Sequence, residues 1–84
     1  MTHLSQDLHE VFPADDALLR RLKMEDPHFR SLAERYADLD QQVARIERGE
    51  DPASDTRTEM LKKQRLAVLD EIAAHLAAAR GQAA

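Results

Sequence analysis

Four histidines are the first residues here with types that could do chemistry. His3 and His9 stand six positions apart, which does not bring two imidazoles onto one helical face, and no His-x-x-x-His spacing occurs. Carboxylates come in pairs: Asp15 with Asp16, Asp38 with Asp40, Glu50 with Asp51, Asp70 with Glu71. General acid–base work needs such a pair in a concave, partly desolvated site that shifts a pKa. A ribbon of helices offers no such cavity, and helix N-termini and solvated faces account for these residues. No serine or threonine has a base near it in an ordered pocket, and two glycines cannot make a phosphate loop. Catalytic residues, cofactors and metals are therefore not expected. A basic cluster, Arg57, Lys62, Lys63 and Arg65, suits phosphate or nucleic acid in principle. The net charge of −4 and the absence of an aromatic stacking platform argue against it. Arg20, Arg21 and Lys23 lie among Asp15, Asp16, Glu25 and Asp26, with the same implication.

The elements that carry these residues are helices. Ala, Leu, Arg, Glu, Asp and Gln dominate, and three aromatics and two glycines argue against a sandwich or barrel. With 84 residues the chain is at most one domain, and with no cysteine it has no disulfide to staple it. Asp26 and Pro27 form a helix start, N-cap then first helical position. From there Phe29, Leu32, Tyr36, Leu39, Val43 and Ile46 recur at alternating spacings of three and four. That is a heptad seam, and its period of about 3.5 residues packs knobs into holes against a second helix. Gly49 ends the helix, a polar stretch with Pro52 connects, and Ser54, Asp55 or Thr56 opens the next. Its stripe is Leu61, Val68, Leu69, Ile72, Leu76 and Ala79, widened by Leu66 and Ala73.

A short connection makes the two helices antiparallel neighbours. Folding at Pro52 sets Val43 against Leu61, Tyr36 against Val68, Leu32 against Ile72 and Phe29 against Leu76, and brings His28 level with His75. Arg65 then falls opposite Leu39 and Asp40. The expectation is an Asp40–Arg65 ion pair that sets the register, partly exposed and worth at most about 1 kcal/mol. The fold class is thus all-α: an antiparallel, coiled-coil-like hairpin over residues 26–80, with helices at about 27–48 and 56–79. A helical arm of one or two short helices precedes it over residues 1–25, and a frayed tail follows over 81–84.

The arm carries two apolar faces, Leu4, Leu8, Val11 and Phe12, then Leu18, Leu19 and Leu22. These must be covered, either by the arm's own hairpin or by a partner. With Pro13 and Pro27 bending the chain, the arm is expected to stand off as a separate lever, and the protein to form a homodimer or higher oligomer. Residues 1–12 lack the Lys and Arg of a membrane-surface helix. The most apolar stretch, residues 72–79, is too short to span a bilayer, and the N-terminus does not resemble a secretory signal. A cytoplasmic protein is expected.

Phe12-Pro13, the leucines before Lys23, Asp26-Pro27-His28-Phe29, Leu39-Asp40, and Lys62-Lys63-Gln64-Arg65-Leu66 with Asp70-Glu71-Ile72 follow one another in an order that resembles the YdcH-like family of small bacterial proteins, a domain of unknown function. The resemblance covers roughly residues 12–76. It implies a short helical hairpin able to make coiled-coil contacts in the bacterial cytoplasm, and it transfers no catalytic residue. The function expected is a non-enzymatic interaction or self-association module. The alternative is a small nucleic-acid-associated protein using the basic start of the last helix.

Overall fold

A computed structural model describes residues 7–82. Helix α1 (Leu8–Val11) leads through a 3₁₀ turn (Pro13–Asp15) into α2 (Asp16–Glu25), then α3 (Pro27–Glu47) and α4 (Asp55–Gln82). Leu4 and residues 83–84 lie outside the described residues.

Helices α1, α3 and α4 each start at a side chain that satisfies backbone donors a helix leaves open, while α2 follows the 3₁₀ turn without a side-chain cap. The Asp7 carboxylate accepts from the His9 N–H at 2.8 Å. Asp26 accepts from the N–H groups of His28 and Phe29 at 3.0 and 3.2 Å, with Pro27 in the first turn of α3. Of the three candidate caps for α4, the one used is Ser54, whose hydroxyl accepts from the Arg57 N–H at 3.1 Å. Asp26 also closes α2, donating its own N–H to the Leu22 carbonyl at 2.9 Å, so one residue is the entire joint between two helices.

Helix α3 stops at a two-bond cap. The Glu50 N–H reaches the Arg45 carbonyl and the Gly49 N–H the Ile46 carbonyl, at 2.9 and 3.0 Å, which requires Gly49 at φ 77°. A Cβ built on Gly49 would meet nothing within 4 Å, so only backbone strain opposes a side chain there. Gly49→Ala should therefore cost about 1 kcal/mol, the left-handed penalty less the gain from a stiffer unfolded chain. The midpoint of urea unfolding measures it, and an unchanged midpoint would contradict the cap. Gly81, by contrast, does not stop α4, which runs on to Gln82 instead of ending near residue 79. Its φ is not positive, and glycine in an ordinary helical conformation only weakens a last turn.

The hairpin is antiparallel. His28 and His75 stand together at one end, with ring centroids 5.2 Å apart, and Glu47 reaches Lys62 at 3.5 Å near the other. Phe29, Leu32, Tyr36, Leu39, Val43, Leu61, Val68, Ile72 and Leu76 are buried in one cluster, with Ile46 and Leu69 half-buried against it. The arm joins that cluster. Leu8 and Leu19 are buried in it, and Phe12, Leu18 and Leu22 pack on its edge. This corrects the expectation of a free-standing lever. Helix α4 has 28 residues to the 21 of α3, so its last turns overrun the start of α3, where the arm doubles back. There the Arg80 guanidinium donates to the Asp15 carboxylate at 2.6 Å. Bends at Pro13 and Pro27 turn the arm inward instead of holding it away.

Candidate functional site

The residues marked by sequence as the hairpin seam are consumed by the core, and so are most of those marked as a partner surface. Of the arm residues marked as a partner surface, Val11, 37% exposed, stays open to solvent among those described, and beside them Met24 is 82% exposed. What could act outward must be sought elsewhere.

Beside the seam, Tyr36, Asp40 and Arg65 form a buried polar group. Arg65 donates to the Asp40 carboxylate at 3.0 Å, with side chains 15% and 8% exposed. The register expected from spacing is thereby reproduced, but the pair is more buried than expected. Broad burial of this flank of α3 is the cause: Ala33 is buried with Asp40, and the arm's Leu8 and Lys23 lie across a groove from both. Tyr36 is 1% exposed, and that burial, followed by the nearby Asp40 charge, raises its phenol above the usual tyrosine range. Among the described residues no buried side-chain polar atom lacks a hydrogen-bond partner. The group is an interior network in which each buried polar atom has a partner, as structural polar groups do.

A groove of about 210 Å³ runs past this group between arm and α3, bounded by Leu8, Lys23, Ala33, Tyr36 and Asp40. Pockets that bury small molecules usually hold more, about 300–1,000 Å³. Lys23 also has a structural employment, since its ammonium donates to Nε2 of His9 at 3.3 Å while Nδ1 of His9 contacts the Asp16 carboxylate. Asp16 pairs with Arg20 as well, at 2.7 Å. The His9–Asp16–Lys23 cluster ties α1 to α2. Sequence reasoning missed it because residues 9 and 16 belong to different helices once Pro13 turns the chain.

The histidines expected to share a level do so. His75 lies between His28, with planes tilted by 49°, and Phe29, with an edge-on contact at 6.0 Å. Glu25 and His28 have Glu-x-x-His spacing but sit on α2 and α3, either side of the joint. Among the described residues no three His, Cys, Asp or Glu side chains gather as metal ligands would. Of the basic cluster, Arg65 faces Asp40 and Lys62 faces Glu47, leaving Arg57 and Lys63 on the exposed side. No helix among the described residues is long and apolar enough to cross a membrane.

Large apolar side chains point outward at Met24 on α2, 82% exposed, and as a pair on α4, where Leu66 and Met60 are 58% and 52% exposed. Leu66 was expected to widen the apolar stripe, and it does so beyond the reach of α3.

Comparison with known proteins points to the same stretch of the chain. A family model described as "Protein of unknown function (DUF465)" matches residues 29–76, which begin and end on Phe29 and Leu76, facing positions of the seam. The chain is 36% identical over 62 residues to "Uncharacterized protein YdcH" of Escherichia coli (strain K12), across 74% of this chain and 84% of that protein. The protein of the same name from Shigella flexneri matches to the same extent. No solved structure matches.

Proposed function

The chain belongs to the DUF465 family of proteins of unknown function, and on that footing we propose that it is a non-catalytic helical-hairpin module that works by associating with copies of itself through its helix surfaces. The observation that carries this reading is the exposure of Leu66 and Met60 together on α4 after the hairpin seam has been satisfied internally. Two large apolar side chains on one helix of so small a protein are worth covering, at roughly 25 cal/mol per Å² of apolar surface removed from water. The nucleic-acid alternative loses support from the same geometry. Lys62 and Arg65 spend their charge on Glu47 and Asp40, and a pair of remaining cations on an acidic chain makes a poor phosphate track.

Light scattering across a dilution series should give a molar mass that approaches twice 9.5 kDa at high concentration and falls on dilution. Raising salt should change it far less than it would a nucleic-acid complex, because the apolar part of the burial is not screened. A mass fixed at 9.5 kDa at every concentration would overturn the proposal. So would host nucleic acid that co-purifies and is released steeply by salt.

A further inference from the structure

The side of α4 turned away from α3 presents Met60, Lys63, Ala67, Asp70 and Ala74 at alternating spacings of three and four, all exposed, with Leu66 beside them. Their period of about 3.5 residues keeps them on one face along a neighbouring helix. Two of the five are charged. Lys63 and Asp70 are two turns apart, too far to pair within the helix, and neither enters an ion pair among the described residues, whereas Lys62 and Arg65 are both engaged. Charges in the middle of an apolar helix face oppose its burial unless a partner supplies the opposite sign.

We infer that this face pairs with the same face of a second copy, α4 against α4, antiparallel and crossing at Ala67. The inference rests on the self-association reading and adds to it a surface and a register. A two-fold contact is self-complementary: if one residue meets another, the reverse contact is made too. With Ala67 on the axis, Lys63 of each copy lies within one residue, about 1.5 Å along the helix, of the level of Asp70 of the other, so both charges are answered twice over. Met60 then lies level with Ala74 of the other copy, a long side chain against a short one, and the two Leu66 side chains flank the axis. A parallel pairing of the same face would set Lys63 against Lys63 and Asp70 against Asp70, which costs free energy instead of gaining it. The sequence is self-complementary in one direction only. A contact between single helices is small, so the dimer is weak and sensitive to dilution.

The chain has no cysteine, which makes single-cysteine cross-linking clean. Positions 63, 67 and 70 are exposed, so substitutions there leave the core untouched. Under mild oxidation A67C should form a disulfide-linked dimer, since the axis brings its two copies within bonding range. K63C and D70C should each stay unlinked alone and link when mixed. In sedimentation, Lys63→Asp should raise the dissociation constant at least about tenfold, through two lost pairs and two like-charge contacts, and K63D with D70K should restore it. Self-linking of K63C would mean parallel pairing and overturn the inference. A dimer that ignores both A67C and the charge reversal would overturn this face while leaving self-association standing. A chain monomeric at every concentration would overturn both.

Discussion

Leu19→Ala should lower the stability of the whole protein by about 2–5 kcal/mol, the range for removing a fully buried leucine. Leu19 is 0% exposed and shares one cluster with Phe29, Ile72 and Leu76 of the hairpin. A chain of this length holds roughly 4–13 kcal/mol in total, so the loss takes a large share of what there is. Urea unfolding followed by helix content should show one transition at a lower midpoint, because arm and hairpin unfold together. The opposite result is specific: a hairpin transition unmoved by Leu19→Ala, with the arm alone lost to protease, would mean the arm does not belong to the core.

The second large effect is expected at Arg65. Arg65→Met keeps much of the aliphatic stem and withdraws the cation from a carboxylate that is 8% exposed. Breaking one side of a buried pair costs about 3–5 kcal/mol, well above the figure of at most about 1 kcal/mol suited to an exposed pair. Much of the cost is the charge left behind. Asp40→Leu combined with Arg65→Met should therefore recover most of it, since a pair exchanged for apolar residues of similar size is often neutral. A double-mutant cycle reads the coupling directly. Strictly additive losses would mean the two side chains do not interact, and the register would then rest on the apolar seam alone.

The hairpin was legible in the sequence, and the arm was only half so. Alternating spacings from Phe29 to Ile46 name a helix, its buried side and its period at once, and the stripe from Leu61 to Leu76 admits few registers against it. Asp40 with Arg65 and His28 with His75 could be matched before any coordinates because they ride on that register. The arm has the same kind of apolar pattern in Leu8, Phe12, Leu18, Leu19 and Leu22. An amphipathic face records that something covers it, without recording what. The contact that answers the question, Arg80 with Asp15, joins residues 65 positions apart through an ion pair, and nothing in local spacing singles out those two among so many charges. Burial of the Asp40–Arg65 pair was underestimated for a related reason. The approach of the arm to this flank of α3, beside Ala33, helps remove it from water, and that approach is a property of the assembled chain. The outer face of α4 was visible in part, through Leu66, but its exposure could be known only once α3 and the arm had taken their places.

The single-residue joint at Asp26 has a consequence for topology. Hairpin proteins often exchange arms between copies by straightening a bend into one continuous helix, a cheap route to a domain-swapped dimer. Here that route is closed. Pro27 has no N–H to carry a helix through the bend, and its ring would clash with the Lys23 carbonyl if α2 and α3 were made collinear, at a cost of about 3 kcal/mol or more. Straightening would also remove Asp26 from the extended conformation, φ −117° and ψ 103°, in which its carboxylate caps α3. A swapped dimer built on a continuous α2–α3 helix is thus disfavoured, and the arm's place on its own hairpin does not compete with it.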